Sequence, residues 1–173
     1  GCLGPAGTVS VTINQTPSAP VAGSNTPVCS GQTLSLTASA TGTTYSWSGP
    51  NSFTSASQNP TIAGVTTLGS GTYSVTATEL GCTGPAGTTS VTINQTPSAP
   101  SAGSNSPICS GSTLSLTAGT ISGASYAWSG PNSFTSASQN PTIPGTTTAD
   151  AGTYTVNATV SGCTGSDATT SVT

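Results

Sequence analysis

No lysine, arginine, histidine or methionine occurs among the 173 residues, and the acids number three, Glu79, Asp150 and Asp167. Each absence removes a class of activity. Without histidine or lysine there is no ordinary general base near neutral pH, and no Ser-His or Ser-Lys nucleophile system can be assembled. The expectation is a protein that is not an enzyme. Nucleic-acid binding depends on Lys and Arg displacing counterions from phosphates, and this chain has nothing to supply to that effect. Three scattered acids do not form a calcium cage, and five spread cysteines without histidine do not form a zinc set, so neither metal nor cofactor is expected. No apolar run approaches the ~20 residues that span a bilayer, so membrane insertion is not expected. The absence of lysine also rules out the Lys-Asn isopeptide clamps that some bacterial pilins use.

Charged residues are only 2% of the chain and hydrophobic ones 32%, while Ser and Thr together make up about 38%. Disorder usually pairs low hydrophobicity with high net charge and few β-branched residues. Here the net charge is −3 and Thr and Val are abundant. A β-rich protein coated in hydroxyls fits this composition better. The chain opens on Gly1, which suggests a mature or excised piece of something longer.

Self-comparison is the most informative reading. Cys2 maps onto Cys82 and Cys29 onto Cys109 at a spacing of 80, and Trp47, Tyr73 and Cys82 map onto Trp128, Tyr154 and Cys163 at a spacing of 81. The run SGPNSFTSASQNP at 48–60 recurs unchanged at 129–141, and INQTPSAP at 13–20 recurs at 93–100. Each repeat is read as beginning in a Pro-rich stretch and ending on an alternating strand, VSVTI at 9–13 or TSVTI at 89–93. This phase makes residues 1–14 the last hairpin or strand of a preceding repeat, 15–94 one complete domain and 95–173 a second. The alternative for 1–14 is a strand donated to a neighbouring subunit's sheet. The Pro-rich TPSAPVAGSNTP at 16–27 reads as an extended, semi-rigid linker.

Period-two alternation marks the strands. TLSLTA at 33–38 puts Leu34 and Leu36 on one face. The same pattern turns Tyr45 and Trp47 inward in TYSWSG, Ile62 and Val65 inward around PTIAGV, and Tyr73, Val75 and Ala77 inward in GTYSVTAT. Gly, Pro, Asn and Ser interrupt these runs at the short intervals of an all-β sandwich, and no window reads as helix. The order of an apolar strand, a Tyr-x-Trp strand and a Gly-Thr-Tyr strand resembles an immunoglobulin-like domain. Asp150-Ala151-Gly152-Thr153-Tyr154 is close to the D-x-G-x-Y motif that opens strand F of that fold, with Gly69 in place of the acid in the first repeat. The inter-sheet cysteine positions of antibody domains correspond to Ala38 and Val75, so that disulfide is missing. More narrowly, P-[VI]-C-S-G at 27–31 and 107–111, Y-x-W-S-G-P-N, G-T-Y-[ST]-V and G-C-T-G are similar to the Ig-like tandem repeats of secreted Bacteroidota surface proteins. Such repeats occur in large gliding or adhesion proteins exported by the type IX route. The resemblance implies tandem β-sandwiches stacked end to end at a bacterial cell surface.

With the chain placed outside the cell, Cys2, Cys29, Cys82, Cys109 and Cys163 become disulfide candidates. The odd one, Cys2, belongs to the preceding repeat. One scheme pairs Cys29 with Cys82 and Cys109 with Cys163, one bridge per repeat. In an Ig-like sandwich, however, those partners sit near opposite ends of a domain, up to ~30 Å apart, whereas a disulfide needs Cα atoms within about 7 Å. The other scheme joins Cys29 to Cys163 across a junction of repeats. Both remain open from sequence.

Trp47, Trp128, Tyr73 and Tyr154 read as core residues, the tyrosines as corner residues. Phe53 and Phe134, in the repeated PNSFTSAS loop, are the candidate contact surface. Asn14, Asn94 and Asn157 occupy N-x-[ST] sequons. The function expected is that of a structural stalk or filament segment of an extracellular bacterial adhesin or self-assembling fibre, with neighbouring repeats or copies of itself as partners. The alternative is a carbohydrate-binding Ig-like module that uses Phe53 and Phe134 on surface glycans.

Overall fold

A computed structural model of the chain describes residues 2, 4, 7–40 and 44–173. Residues 1, 3, 5 and 6 of the segment 1–14 lie outside the described residues. The chain divides into two compact units. The first comprises Gly1–Thr26, Thr33–Ile62 and Leu68–Thr92, and the second Pro27–Gln32, Ala63–Thr67 and Ile93–Thr173.

The strands up to residue 94 are β1 (Val21–Ser24), β2 (Val28–Cys29), β3 (Leu34–Ser39), β4 (Thr44–Gly49), β5 (Phe53–Ser55), β6 (Thr61–Ile62), β7 (Gly71–Glu79), β8 (Cys82–Thr83), β9 (Gly87–Val91) and β10 (Ile93–Asn94). Beyond them run β11 (Ala102–Ser104), β12 (Leu114–Ala118), β13 (Ser125–Gly130), β14 (Phe134–Ser136), β15 (Thr142–Ile143), β16 (Gly152–Val160), β17 (Cys163–Thr164) and β18 (Ala168–Val172). In the first unit, β1-β3-β6 form one sheet and β5-β4-β7-β8 the other, with β9 also paired to β7. The second unit repeats this order in β11-β12-β15 and β14-β13-β16-β17, with β18 on β16. A short parallel pair, β2 with β10, also belongs to the second unit.

The alternation seen in sequence becomes the inner face of each sheet. Leu34, Leu36 and Ala38 of β3 are buried, as are Trp47 of β4 and Tyr73, Val75 and Ala77 of β7. Tyr45 is half-buried, its hydroxyl donating to the Ala40 carbonyl at 2.8 Å. The second core is the matching set Leu114, Leu116, Ala118, Tyr126, Trp128, Tyr154, Val156, Ala158 and Val172. Each large aliphatic or aromatic side chain withdrawn from water in this way contributes on the order of 1.5–3 kcal/mol. Ala38 and Val75, at the positions where antibody domains carry cysteines, are apolar and buried.

The Pro-rich stretch 16–27 differs from its reading as a linker. Val21–Ser24 joins a sheet as β1, antiparallel to β3, with Val21 opposite Ser39 and Ser24 opposite Leu36. The residues between Pro20 and Pro27 retain their N–H groups, so a ladder can form there. Two single 3₁₀ turns, Thr67–Gly69 and Thr148–Asp150, also occur where no helical segment is expected. They are too short to show as a periodic pattern. Among the described residues, no helix is long and apolar enough to cross a membrane.

Two hairpins are closed by tight turns. Asn51 and Ser52 lie at φ 58° and 57° between β4 and β5, with the Phe53 N–H donating to the Pro50 carbonyl at 3.2 Å. Leu80 and Gly81, at φ 49° and 82°, link β7 to β8. Positive φ at both central residues is the signature of a type I′ turn, whose twist matches that of the strands it joins. The second unit repeats both turns at Asn132-Ser133 and Ser161-Gly162.

Candidate functional site

The β16–β17 hairpin places Cys163 directly after the Ser161-Gly162 turn, opposite Val160. Cys163 is bonded to Cys29, with the two Cα atoms 5.6 Å apart and 134 residues between them in sequence. Both cysteines belong to the second unit. The pairing within each sequence repeat does not form. Cys2, Cys82 and Cys109 are thiols, Cys2 and Cys109 exposed and Cys82 half-buried.

Asn94 holds the surroundings of the bond together. Its backbone pairs in parallel with Cys29, while Ile93 pairs with Val28. Its carbonyl accepts the Ser30 N–H at 2.8 Å, and its side-chain Nδ2 donates to the Ser161 carbonyl at 2.9 Å. Two residues further on, the Thr96 N–H donates to Ser30 Oγ at 2.9 Å and Thr96 Oγ1 donates to the Ser30 carbonyl at 2.8 Å. One short peptide, 93–96, therefore grips the Cys29 turn through its backbone and the Cys163 hairpin through its asparagine. Val28, Val65 and Ile93 are buried in the same unit. This supplies the apolar floor that short parallel pairs need.

The asparagine half of this arrangement recurs in the first unit. Asn14 Nδ2 donates to the Leu80 carbonyl at 2.9 Å, and Cys82 Sγ lies 3.8 Å from the Asn14 carbonyl. The matching distance from Cys163 Sγ to the Asn94 carbonyl is 4.0 Å. Two of the three sequon asparagines thus use their amide nitrogen to hold a cysteine hairpin. The third, Asn157, donates to Asp167 Oδ1 at 3.0 Å. Ahead of Asn14, residues 7–13 carry no strand, and Val9, Val11 and Ile13 are exposed, Ile13 at 92%.

The predicted core residues form matched sets. Trp47 and Trp128 are 1% and 2% exposed, and each indole N–H donates at 3.2 Å to the carbonyl of Gln58 or Gln139. The Tyr73 hydroxyl donates to the Gly69 carbonyl and that of Tyr154 to the Asp150 carbonyl, both at 2.9 Å. The corner therefore relies on a backbone oxygen, which explains how glycine can replace aspartate in the first repeat. The Asp150 carboxylate has other partners: the Thr147 N–H at 2.8 Å, Thr147 Oγ1 at 3.1 Å and Asn132 Nδ2 at 2.9 Å. Led by the Thr147 backbone bond, these donors hold its pKa below the usual carboxylate range. Burial pushes the Tyr73 and Tyr154 phenols up, and the Asp150 charge adds to the rise at Tyr154.

Phe53 and Phe134 are half-buried and make T-shaped contacts with Tyr73 and Tyr154, ring centroids 5.6 Å apart in each case. Gly49 and Gly130 make room for this packing, because a Cβ at either would run into the ring of Tyr73 or Tyr154. Among the described residues, no three cysteine, aspartate or glutamate side chains gather as a metal-ligand set.

The arrangement of two packed sheets in each unit is similar to that in solved structures. One is a chain in the crystal structure of a mouse coronavirus receptor-binding domain complexed with its murine receptor, at 12% identity over 89% of this chain and 100% of that one, TM-score 0.52. The fold is immunoglobulin-like. Murine CEACAM1b aligns at 15% identity over 91% and 99% of the two chains, TM-score 0.46. Three N-terminal domains of the bacteriophage RB49 Highly Immunogenic Outer Capsid protein align at 17% identity over 91% and 58%, TM-score 0.43. No family model and no curated protein matches the sequence. In immunoglobulin-like terms, Cys29 stands in the turn before the second strand and Cys163 follows the tip of the hairpin that ends the long β16 strand. Sequence reasoning singled out both cysteines, and Asn94 only as a sequon asparagine, but not Ser30. The signal for their roles was the recurrence of INQT at 13–16 and 93–96 and of CSG at 29–31 and 109–111.

Proposed function

We propose that the chain is a structural segment, a stalk or filament repeat, of an extracellular bacterial surface protein of the adhesin type, with no catalytic activity. The observation that carries this reading is the Cys29–Cys163 bond, which ties a turn of the first sequence repeat to a hairpin of the second. A covalent tie of that kind serves a protein that must resist pulling and exposure, and disulfides persist in oxidising surroundings outside the cell. Further support comes from the two immunoglobulin-like sandwiches with matched cores and from a surface of Ser, Thr, Asn and Gly almost without charge. The resemblance of P-[VI]-C-S-G and G-C-T-G to repeats of Bacteroidota surface proteins points to the same address. Surface glycans are less favoured as partners, because Phe53 and Phe134 are engaged with Tyr73 and Tyr154 instead of presenting open ring faces. Electron microscopy of in-frame multimers tests the reading. Particle length should grow in proportion to copy number, and compact globules of unchanged length would overturn it.

A further inference from the structure

Peptide 93–96 holds the Cys29 turn and the Cys163 hairpin through groups other than sulfur. On one side the Ser30 N–H donates to the Asn94 carbonyl at 2.8 Å, and Ser30 takes two more bonds from Thr96, at 2.9 Å to its Oγ and 2.8 Å to its carbonyl. On the other side Asn94 Nδ2 donates to the carbonyl of Ser161, at 2.9 Å, in the turn that leads into Cys163. The two sulfurs sit inside this frame. Cys163 Sγ lies 4.0 Å from the Asn94 carbonyl, and Cys29 Sγ 4.0 Å from the Gly162 carbonyl. All of these residues belong to the second unit. The first unit shows the same asparagine geometry around a thiol. Asn14 Nδ2 holds the Leu80 carbonyl at 2.9 Å, and the Cys82 thiol lies 3.8 Å from the Asn14 carbonyl. The geometry therefore does not require the sulfur–sulfur bond.

We propose that Asn94 is a positioning residue for disulfide formation, its backbone seating the Cys29 turn and its side-chain amide the Cys163 hairpin, so that with Thr96 it selects Cys163 over Cys2, Cys82 and Cys109 as the partner of Cys29. The frame assembles first and the bond follows. In the oxidation, one protein thiolate attacks a sulfur of a small-molecule disulfide such as oxidised glutathione and expels one glutathione thiolate. The other protein thiolate attacks the protein sulfur of this mixed disulfide and expels the second. Two electrons pass from the protein thiols to oxidised glutathione, and the two protons they give up complete two glutathione thiols. Asn94 is neither acid nor base in these steps; it raises the effective concentration of one thiol at the other. The inference goes beyond the stalk reading and does not rest on it.

The test uses the full chain in a glutathione redox buffer. Peptide mapping should find Cys29–Cys163 in the great majority of parent molecules. Asn94→Asp, which keeps the shape and loses the donor, should raise the share of pairings that join Cys29 or Cys163 to the other cysteines. In a background of Cys2→Ser, Cys82→Ser and Cys109→Ser, the same substitution should lower the equilibrium constant for oxidation by glutathione about two- to tenfold, the factor one hydrogen bond supplies. The tenfold limit corresponds to a reduction potential raised by about 30 mV. Thr96→Val should act alike, and the double variant should be little worse than either, because loss of one arm already frees the alignment. Gly130→Ala, whose added Cβ meets Tyr154 and not the frame, should lower stability and leave the constant unchanged, which separates positioning from a merely structural role. Where Asn94→Asp fails to fold, a Cys29→Ser, Cys163→Ser chain with Asn94 intact decides, since its Ser30 N–H should stay protected from hydrogen exchange. Free exchange there, an unchanged pairing pattern in Asn94→Asp, or an equal fall of the constant in Gly130→Ala would overturn the proposal.

Discussion

Replacing Cys29 with serine should change how much chain can be drawn out under load. The bond spans 134 residues of sequence, and an extended residue covers at most ~3.3–3.6 Å. The bond therefore withholds on the order of 440–480 Å of contour length. Only the 38 residues before Cys29 and after Cys163 lie outside the closed loop, worth about 130 Å at the same rise. Pulled by its two ends in an optical trap, the oxidised chain should yield no more than the smaller length. Cys29→Ser, or the parent chain after reduction, should yield both. The same substitution removes a cross-link whose loop closure is worth about 5 kcal/mol in the chain-entropy limit and commonly less in practice. Denaturant titration should show a loss of a few kcal/mol, with Cys29→Ser and Cys163→Ser equal and the double variant no worse than either. Equal contour lengths for oxidised parent and Cys29→Ser would refute the reasoning, because force would then not be routed through the bond.

Gly49→Ala and Gly130→Ala should each destabilise their sandwich by about 1–3 kcal/mol by forcing a methyl group into the ring of Tyr73 or Tyr154, read as a lower denaturant midpoint. Ser52→Gly and Ser133→Gly, at φ 57°, should stabilise by a few tenths to about 1 kcal/mol, since glycine takes up positive φ without strain. A lower thermal midpoint would count against the type I′ assignment. Asp150 has a lowered folded pKa, so its contribution is complete above the ordinary carboxylate value of ~3.9 and is lost as pH falls through the lower folded value. Acid titration of stability should flatten in that window in Asp150→Asn. With no Lys or Arg, the folded chain should survive trypsin, and its melting should vary little with ionic strength; marked softening in salt would contradict this.

The strands that carry the core were legible because their residues alternate. Leu34/Leu36, Trp47 and Tyr73/Val75/Ala77 each declare an inner face that any sheet must bury. The tyrosine corner was legible from Gly-Thr-Tyr, but its acceptor was not, because a backbone carbonyl leaves no mark on residue identity. β1 was hidden because prolines at 20 and 27 dominate the composition, while the residues that pair with β3 lie between them. β2 and β10 are two residues each, below any periodicity. The partner of Cys29 depends on which turns the folded chain brings within 5.6 Å, a tertiary fact that cysteine spacing alone leaves open between two schemes.

The Cys29–Cys163 bond makes the chain between the cysteines a closed ring, in covalent terms, with short tails at each side. A single backbone break anywhere from Ser30 to Gly162, whether from a protease, an oxidant or shear, opens that ring without producing two molecules. β3 to β16 all lie within that stretch. One cut within the ring leaves every part of it attached through the bond, and a second cut there is needed to release a fragment of it.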